Sequence, residues 1–471
     1  MFFSNERRTR TNYNSSSYHR KVAFFIRSSC GSTNISRHFA DETGMKSLTF
    51  DFCKVFHRAF SPMSIVTLSL GLISTAGIAE TTNKRMILPG TRAQAVAGAY
   101  TAIADDASAG WYNPAGLAFL NGPSASLTAN NYSRSKRNVS GTTTDSILAE
   151  NSASLYPGFA GAVATLGPAV IGWSYFTLEK QNTDESQIIA VESDTSVQPF
   201  RYYRSNLTTG NLIHIGASVA LPLGPHLSIG VSEFYYRREK QTALKERSLF
   251  SSGFFYDSFL RQSTKNEGTQ TVPGLMLRVA SFSLGLSGKI PRALTDKTEI
   301  ETTSVIYTGS TPELGSQAAS SHREDELIVR TWSLGLAWNP APWFILSADA
   351  DYYPATASPW LQAGGFDTKT VLDGSVGAEV HVDFLLLGGG AFTNSSLVRT
   401  PTASLTTVDP AKIDYVGYTA SVGLAGKQSE TRIILIRQQG KGRSQVIQSS
   451  LSLHNVSDTK ETVSLSSRFQ F

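Results

Sequence analysis

The chain has 471 residues, 41% of them hydrophobic and only 17% charged, a low charged share for a water-facing domain. It contains no uninterrupted apolar run of the roughly 18 residues that a membrane-spanning helix needs; that excludes a helical membrane bundle and leaves a β-barrel as the way to cross a bilayer. The formal charge of +5 is carried by the first 79 residues, with ten Lys/Arg against four Asp/Glu, whereas 32 face 33 in the remainder; a nucleic-acid partner therefore has no support.

Residues 1–44 are polar, basic and aperiodic, and read as a disordered or mis-started tail. From Met45-Lys46 the order is basic residues, the apolar run Met63 to Ile73, then small residues up to Ala79. That order predicts a signal peptide over about 45–79, cut before Glu80. Both cysteines, Cys30 and Cys53, lie in this 1–79 leader, so the rest of the chain has no disulfide framework or thiolate metal site.

Residues 80–123 are expected to form a small plug, or hatch. Arg92 to Ala104 is rich in Ala and Gly. Asp105-Asp106 and Asn113-Pro114 are helix-start signals, a carboxylate or amide cap and a proline at the first helical position. Such short turns of small residues cannot bury a core of their own and must sit inside something larger.

From Ser124 the apolar period becomes two. Trp332, Leu334, Leu336 and Trp338 share one face, as do Phe344, Leu346, Ala348, Ala350 and Tyr352; Asp349 and Asp351 face the other way. Tight turns are expected at Gly167-Pro168, Gly224-Pro225, Ala280-Ser281, 339–342 and 381–383, alternating with long polar loops at 181–209, 239–269, 291–325, 354–369 and 394–411. Alternation of short and long connections predicts an outer-membrane barrel of about 14 strands over 124–471, all-β apart from the hatch. Fifteen strand-like runs are present; the surplus lies at 430–438 or 444–454. The chain ends on Phe471, in line with Val463, Leu465 and Phe469, a terminal aromatic strand of the kind read by the barrel assembly machinery.

Gly98-Ala99-Tyr100-Thr101-Ala102-Ile103-Ala104-Asp105-Asp106-Ala107-Ser108 followed by Asn113-Pro114-Ala115-Gly116-Leu117 resembles the hatch of the long-chain fatty-acid and aromatic-hydrocarbon transporters, the FadL/TodX outer-membrane family. The resemblance covers about 30 residues. It implies a monomeric barrel that passes hydrophobic compounds, such as long-chain fatty acids, through an opening in its wall. Asn113, Pro114 and Ala115 would form the substrate gate, and Asp105 and Asp106 would hold the hatch to the wall. The implied partners are a hydrophobic ligand and the lipid and lipopolysaccharide of a Gram-negative-type outer membrane. The alternative is a non-transporting scaffold of the same fold, expected to have a wholly polar lumen.

Phe250, Phe254, Phe255, Tyr256, Phe259 and Leu260 are expected to form an outer capture surface. Asp349, Asp351, Glu379, His381 and Asp383 should line the lumen as a hydrated wall paired with arginines such as Arg278 or Arg468. No nucleophile set, catalytic residue, cofactor or metal is expected: GxSxG, HExxH, P-loop and EF-hand spacings are all missing from the sequence.

Overall fold

The computed structural model describes residues 25–29, 32–39, 46–50, 83–120, 122–140, 148–190, 201–249, 255–307, 312–322, 329–355, 368–402, 411–444 and 453–471. Phe25–Ser29, Ser32–Phe39 and Lys46–Phe50 make a small antiparallel sheet. The expected signal-peptide core, Met63 to Ala79, lies outside the described residues.

The main unit is a closed antiparallel barrel. Its strands are β1 (Ser124–Ser140), β2 in two pieces, β2a (Leu148–Tyr156) and β2b (Phe159–Leu166), β3 (Ala169–Ala190), β4 (Arg201–Pro222), β5 (Leu227–Leu249), β6 (Phe255–Val279) and β7 (Phe282–Tyr307). They continue as β8 (Thr331–Ala341), β9 (Phe344–Tyr353), β10 (Val371–Val382), β11 (Leu385–Asn394), β12 (Lys412–Ala425), β13 (Ser429–Ser444) and β14 (His454–Gln470). Each strand pairs with its sequence neighbours, and β14 returns to β1 through pairs such as Phe469↔Ala125, so fourteen strands close the ring. An additional arm strand, Pro312–His322, pairs with the outer end of β7.

Burial runs opposite to a soluble protein. Leu334, Leu336, Val422, Leu435 and Leu465 are exposed on the outer face, while Ser333, Ser347, Ser421, Ser464 and Asp458 are buried on the lumen face. This inversion is what a lipid solvent selects. Aromatic residues mark the outer face at both ends of the apolar band: Trp332 lies opposite Tyr352, and Trp338 stacks on Phe282. The expected short turns are present. Ala280 and Asp383 take φ of 51° and 50° in them, the left-handed geometry that tight hairpins use.

Three expected loops are corrected. Most of 181–209, 239–269 and 291–325 is strand, because β3 to β7 run for 22 to 26 residues and stay paired well beyond the apolar band. Outside the band both faces are polar, so hydrophobic contrast vanishes while the hydrogen-bond ladder continues. Of the extra run at 444–454, residues 445–452 lie outside the described residues; Ser444 ends β13 and His454 begins β14, paired to each other.

The hatch fills the lumen. It contains α1 (Thr91–Ala95), α2 (Ala109–Tyr112) and a 3-10 turn, Pro114–Phe119. Ala93, Val96, Tyr100, Ala104, Ala109 and Leu117 are fully or almost fully buried. The hatch has no core of its own and borrows the lumen face, packing against Phe159, Phe176, Phe234 and Met276 of the wall.

Candidate functional site

Asn113 is completely buried. Its Oδ1 accepts from Ala115 N at 3.2 Å, capping the 3-10 turn that Pro114 begins, and its amide donates to Thr101 O (2.9 Å) and Leu275 O (3.0 Å). Ser228 Oγ donates to Ala115 O at 2.8 Å. The motif therefore ties two hatch turns to each other and to β5 and β6. Immediately before it, Trp111 and Tyr112 face a cavity above the hatch.

Asp105 pairs with Arg92 and accepts from the Tyr100 hydroxyl at 2.9 Å. Arg92 also reaches Glu379 of β10 at 3.0 Å, so Asp105 is linked to the wall through Arg92. Asp106 accepts from Ser108 N at 2.8 Å and from the Ser108 hydroxyl, which caps the turn before α2. The adjacent carboxyls are pushed apart. Burial disfavours charge on Asp105, but Arg92 and Arg468 outweigh it and hold its carboxyl below the usual range. Burial dominates at Asp106 and raises it, against Arg468 and the Ser108 hydroxyl.

The lumen carboxylates anchor the hatch and do not make a hydrated wall paired with Arg278 or Arg468. Asp351 accepts from Arg85 Nε at 2.8 Å. Asp349 Oδ2 accepts from Tyr100 N and Thr101 N, both at 2.8 Å. Glu379, fully buried, bridges Arg92 and Arg432 and is bonded by His381. Asp383 occupies the β10–β11 turn. Arg278 instead donates to Ile103 O of the hatch at 2.7 Å. Sequence reading finds the carboxylates but misses Arg85 and Arg92, since nothing local marks an arginine as crossing a lumen.

Close approach fixes the rest. A Cβ on Gly335 would stand 2.8 Å from Ala102 N, and one on Gly377 would be 2.6 Å from Val96 Cβ. These wall glycines let the hatch backbone lie directly against the sheet. The same holds for Gly388, whose Cβ would meet Ala95; β11 pairs without interruption on both sides, so its glycine run makes no kink.

The interruption in the wall lies elsewhere. β2b pairs with β3 up to Phe159↔Phe176, and Thr177 N donates to Gly158 O at 3.2 Å. Pro157-Gly158 then breaks β2, and Leu178 bulges from β3 between Thr177 and Glu179. Beyond this point β2a pairs only with β1, and among the described residues no ladder pair joins β2a to β3. The seam starts beside Leu155, which is exposed on the outer face opposite Tyr132. β2a and β3 still lie side by side there, without a ladder between them. Trp111 lies 5.0 Å from Phe176 and 5.2 Å from His214, ring centre to ring centre, and both Trp111 and Leu178 pack on the same buried cluster.

The cavity above the hatch has a volume of about 150 Å³ and reaches Tyr156 and Leu178 at the seam. Its lining combines Trp111, Tyr112, Leu212 and Tyr353 with charged groups such as Lys84, Arg238 and Lys289. Lys84 is brought down to about 7, first by burial and then by Arg238, with Glu179 opposing. Of the expected capture surface, Phe250 and Phe254 lie outside the described residues. The other four divide between the faces of β6: Tyr256 and Leu260 are buried on the inner side, Phe259 is exposed outside, and Phe255 stacks on Tyr307 at 3.9 Å.

No protein-family profile matches the sequence, and no curated protein matches it. Solved structures do match. A FadL homologue from Pseudomonas aeruginosa superposes with a TM-score of 0.57 at 13% identity, covering 81% of this chain and 98% of its own. The chain has the FadL fold. The Pseudomonas putida toluene transporter TodX (TM-score 0.55, 14% identity, 80% and 97% coverage) and the Ralstonia pickettii toluene transporter TbuX (0.54, 12%, 82% and 99%) share that FadL fold.

Proposed function

We propose that this barrel is a passive outer-membrane transporter of hydrophobic compounds, in which ligand passes from the cavity above the hatch sideways through the seam between β2 and β3. The observation that carries the reading is the coincidence of three features. The cavity has an apolar and aromatic side; through Tyr156 and Leu178 it adjoins the stretch where, among the described residues, β2a and β3 are not paired; and Trp111 of the hatch lines it, against Phe176 at the end of the paired stretch. An unpaired backbone in hydrocarbon costs several kcal/mol per group, so such a break in a wall is kept for a use. Lateral exit delivers a hydrophobic solute to the lipid, its lowest free-energy destination, and requires no energy source.

In this mechanism the hatch gates by side chain. Asn113, Pro114 and Ala115 stay locked to the wall and position Trp111, whose indole swings from the seam to admit ligand. Long-chain fatty acids and aromatic hydrocarbons are both within the proposed cargo class, and toluene transport by the proteins of like fold supports the latter. A non-transporting scaffold predicts a wholly polar lumen, which the aromatic cavity disfavours.

The test is uptake of labelled toluene and oleate by transporter-null cells expressing the protein. Expression should raise the initial rate, and an uncoupler should leave that rate unchanged. Equal rates with and without the protein contradict the proposal.

A further inference from the structure

The transport reading leaves the ligand's chemistry open, and the cavity, whose role as the binding site rests on that reading, narrows it. We propose that the cavity above the hatch takes a single aromatic ring bearing a carboxylate. At about 150 Å³ it matches the size of an apolar cavity that holds one benzene molecule. Trp111, Tyr112, Tyr156 and Tyr353 line the space, and aromatic faces receive a ring in offset or edge-on contact.

The charge comes from Lys289 of β7. Its Nζ stands 4.8 Å from the Trp111 ring centre and 5.8 Å from that of Tyr112, within cation–π range of both. Among the described residues no carboxylate lies within ion-pair distance of it, because the two nearby ones are engaged elsewhere: Asp351 with Arg85 and Asp349 with the Tyr100 and Thr101 amides. Tyr112 is 7% exposed, and its hydroxyl has no hydrogen-bond partner. An ammonium and a hydroxyl donor beside aromatic faces suit an acceptor of negative charge. A neutral hydrocarbon would leave both donors unused, and a cationic ring would meet Lys289 as a like charge.

The test measures binding of labelled benzoate, toluene, benzylamine and palmitate to the full-length protein in lipid nanodiscs. Benzoate should bind saturably and at least tenfold more tightly than benzylamine. Lys289→Met should weaken benzoate tenfold or more, far more than it alters toluene, and Lys289→Arg should restore benzoate. Tyr112→Phe, which removes only the hydroxyl, should weaken benzoate several-fold, and it decides the matter if Lys289→Met does not fold. Benzoate no tighter than benzylamine, or no weaker in the folded variants, overturns the inference. Benzoate binding without any hydrocarbon uptake would contradict only the transport reading; toluene uptake without benzoate binding would contradict only this one.

Discussion

Arg92 and Glu379 concentrate the attachment of hatch to wall. Glu379 is shared by Arg92 and Arg432, and neither Glu379 nor Arg432 has an exposed side chain. Removing its charge takes one carboxylate from each guanidinium, leaving Arg92 with Asp105 and Arg432 with Glu430; loss of a buried partner costs up to about 3–5 kcal/mol. Glu379→Gln should therefore lower the unfolding free energy by that order, read as a lower denaturant midpoint, and an unchanged midpoint would show that the pairs are incidental. Acid should act through Asp105. Its folded carboxyl lies below the ordinary range, so its contribution is fully present above the unfolded value of about 4 and is lost as pH falls through the lower folded value. Asp106 is raised and works in the opposite sense: its folded form binds the proton more readily, so it adds relative stability as pH falls. Asp105→Asn should flatten the acid-side loss of hatch protection from protease, whereas Asp106→Asn should be near neutral at pH 7. The Asp105-Asp106 and Asn113-Pro114 signals were legible in the sequence because capping is local. Their partners were not, since Arg92–Glu379 spans 287 positions of sequence.

At the scale of elements, two-residue alternation revealed most of the wall, as in Trp332 to Trp338, where every second side chain faces lipid. It failed where β3 to β7 rise past the apolar band. There Arg237, Glu239 and Lys265 occupy the outer face, and polarity imitates a loop. The seam was also hidden. Pro157-Gly158 sits inside one strand-like run, 152–165, and a one-residue bulge at Leu178 leaves no mark in composition. Glycines such as Gly335 read as small lumen residues, yet each sets how closely the hatch can lie. Gly335→Val should push Ala102 from the wall and cost about 1–3 kcal/mol. Limited proteolysis should then cut the hatch faster while the barrel keeps its heat-resistant migration in electrophoresis; unaltered cutting would mean the contact is slack.

On the scale of the whole molecule, a polar-lined, lipid-faced cylinder is plugged by a segment with no core of its own, and among the described residues its ladder is interrupted between β2a and β3. The barrel class was readable from two-residue alternation and turn spacing. The proposed direction of passage rests on which strands fail to pair, a relation between β2 and β3 that only the folded chain displays. The claim that cargo leaves sideways is tested most directly by deleting Leu178, which removes the extra residue and brings Thr177 and Glu179 into continuous register against Ile213 and Leu212. The initial rate of labelled toluene uptake is then compared with that of the unaltered protein at equal surface expression. The account predicts a fall to the rate of cells lacking the protein. Uptake at the unaltered rate would show that the seam is not the exit.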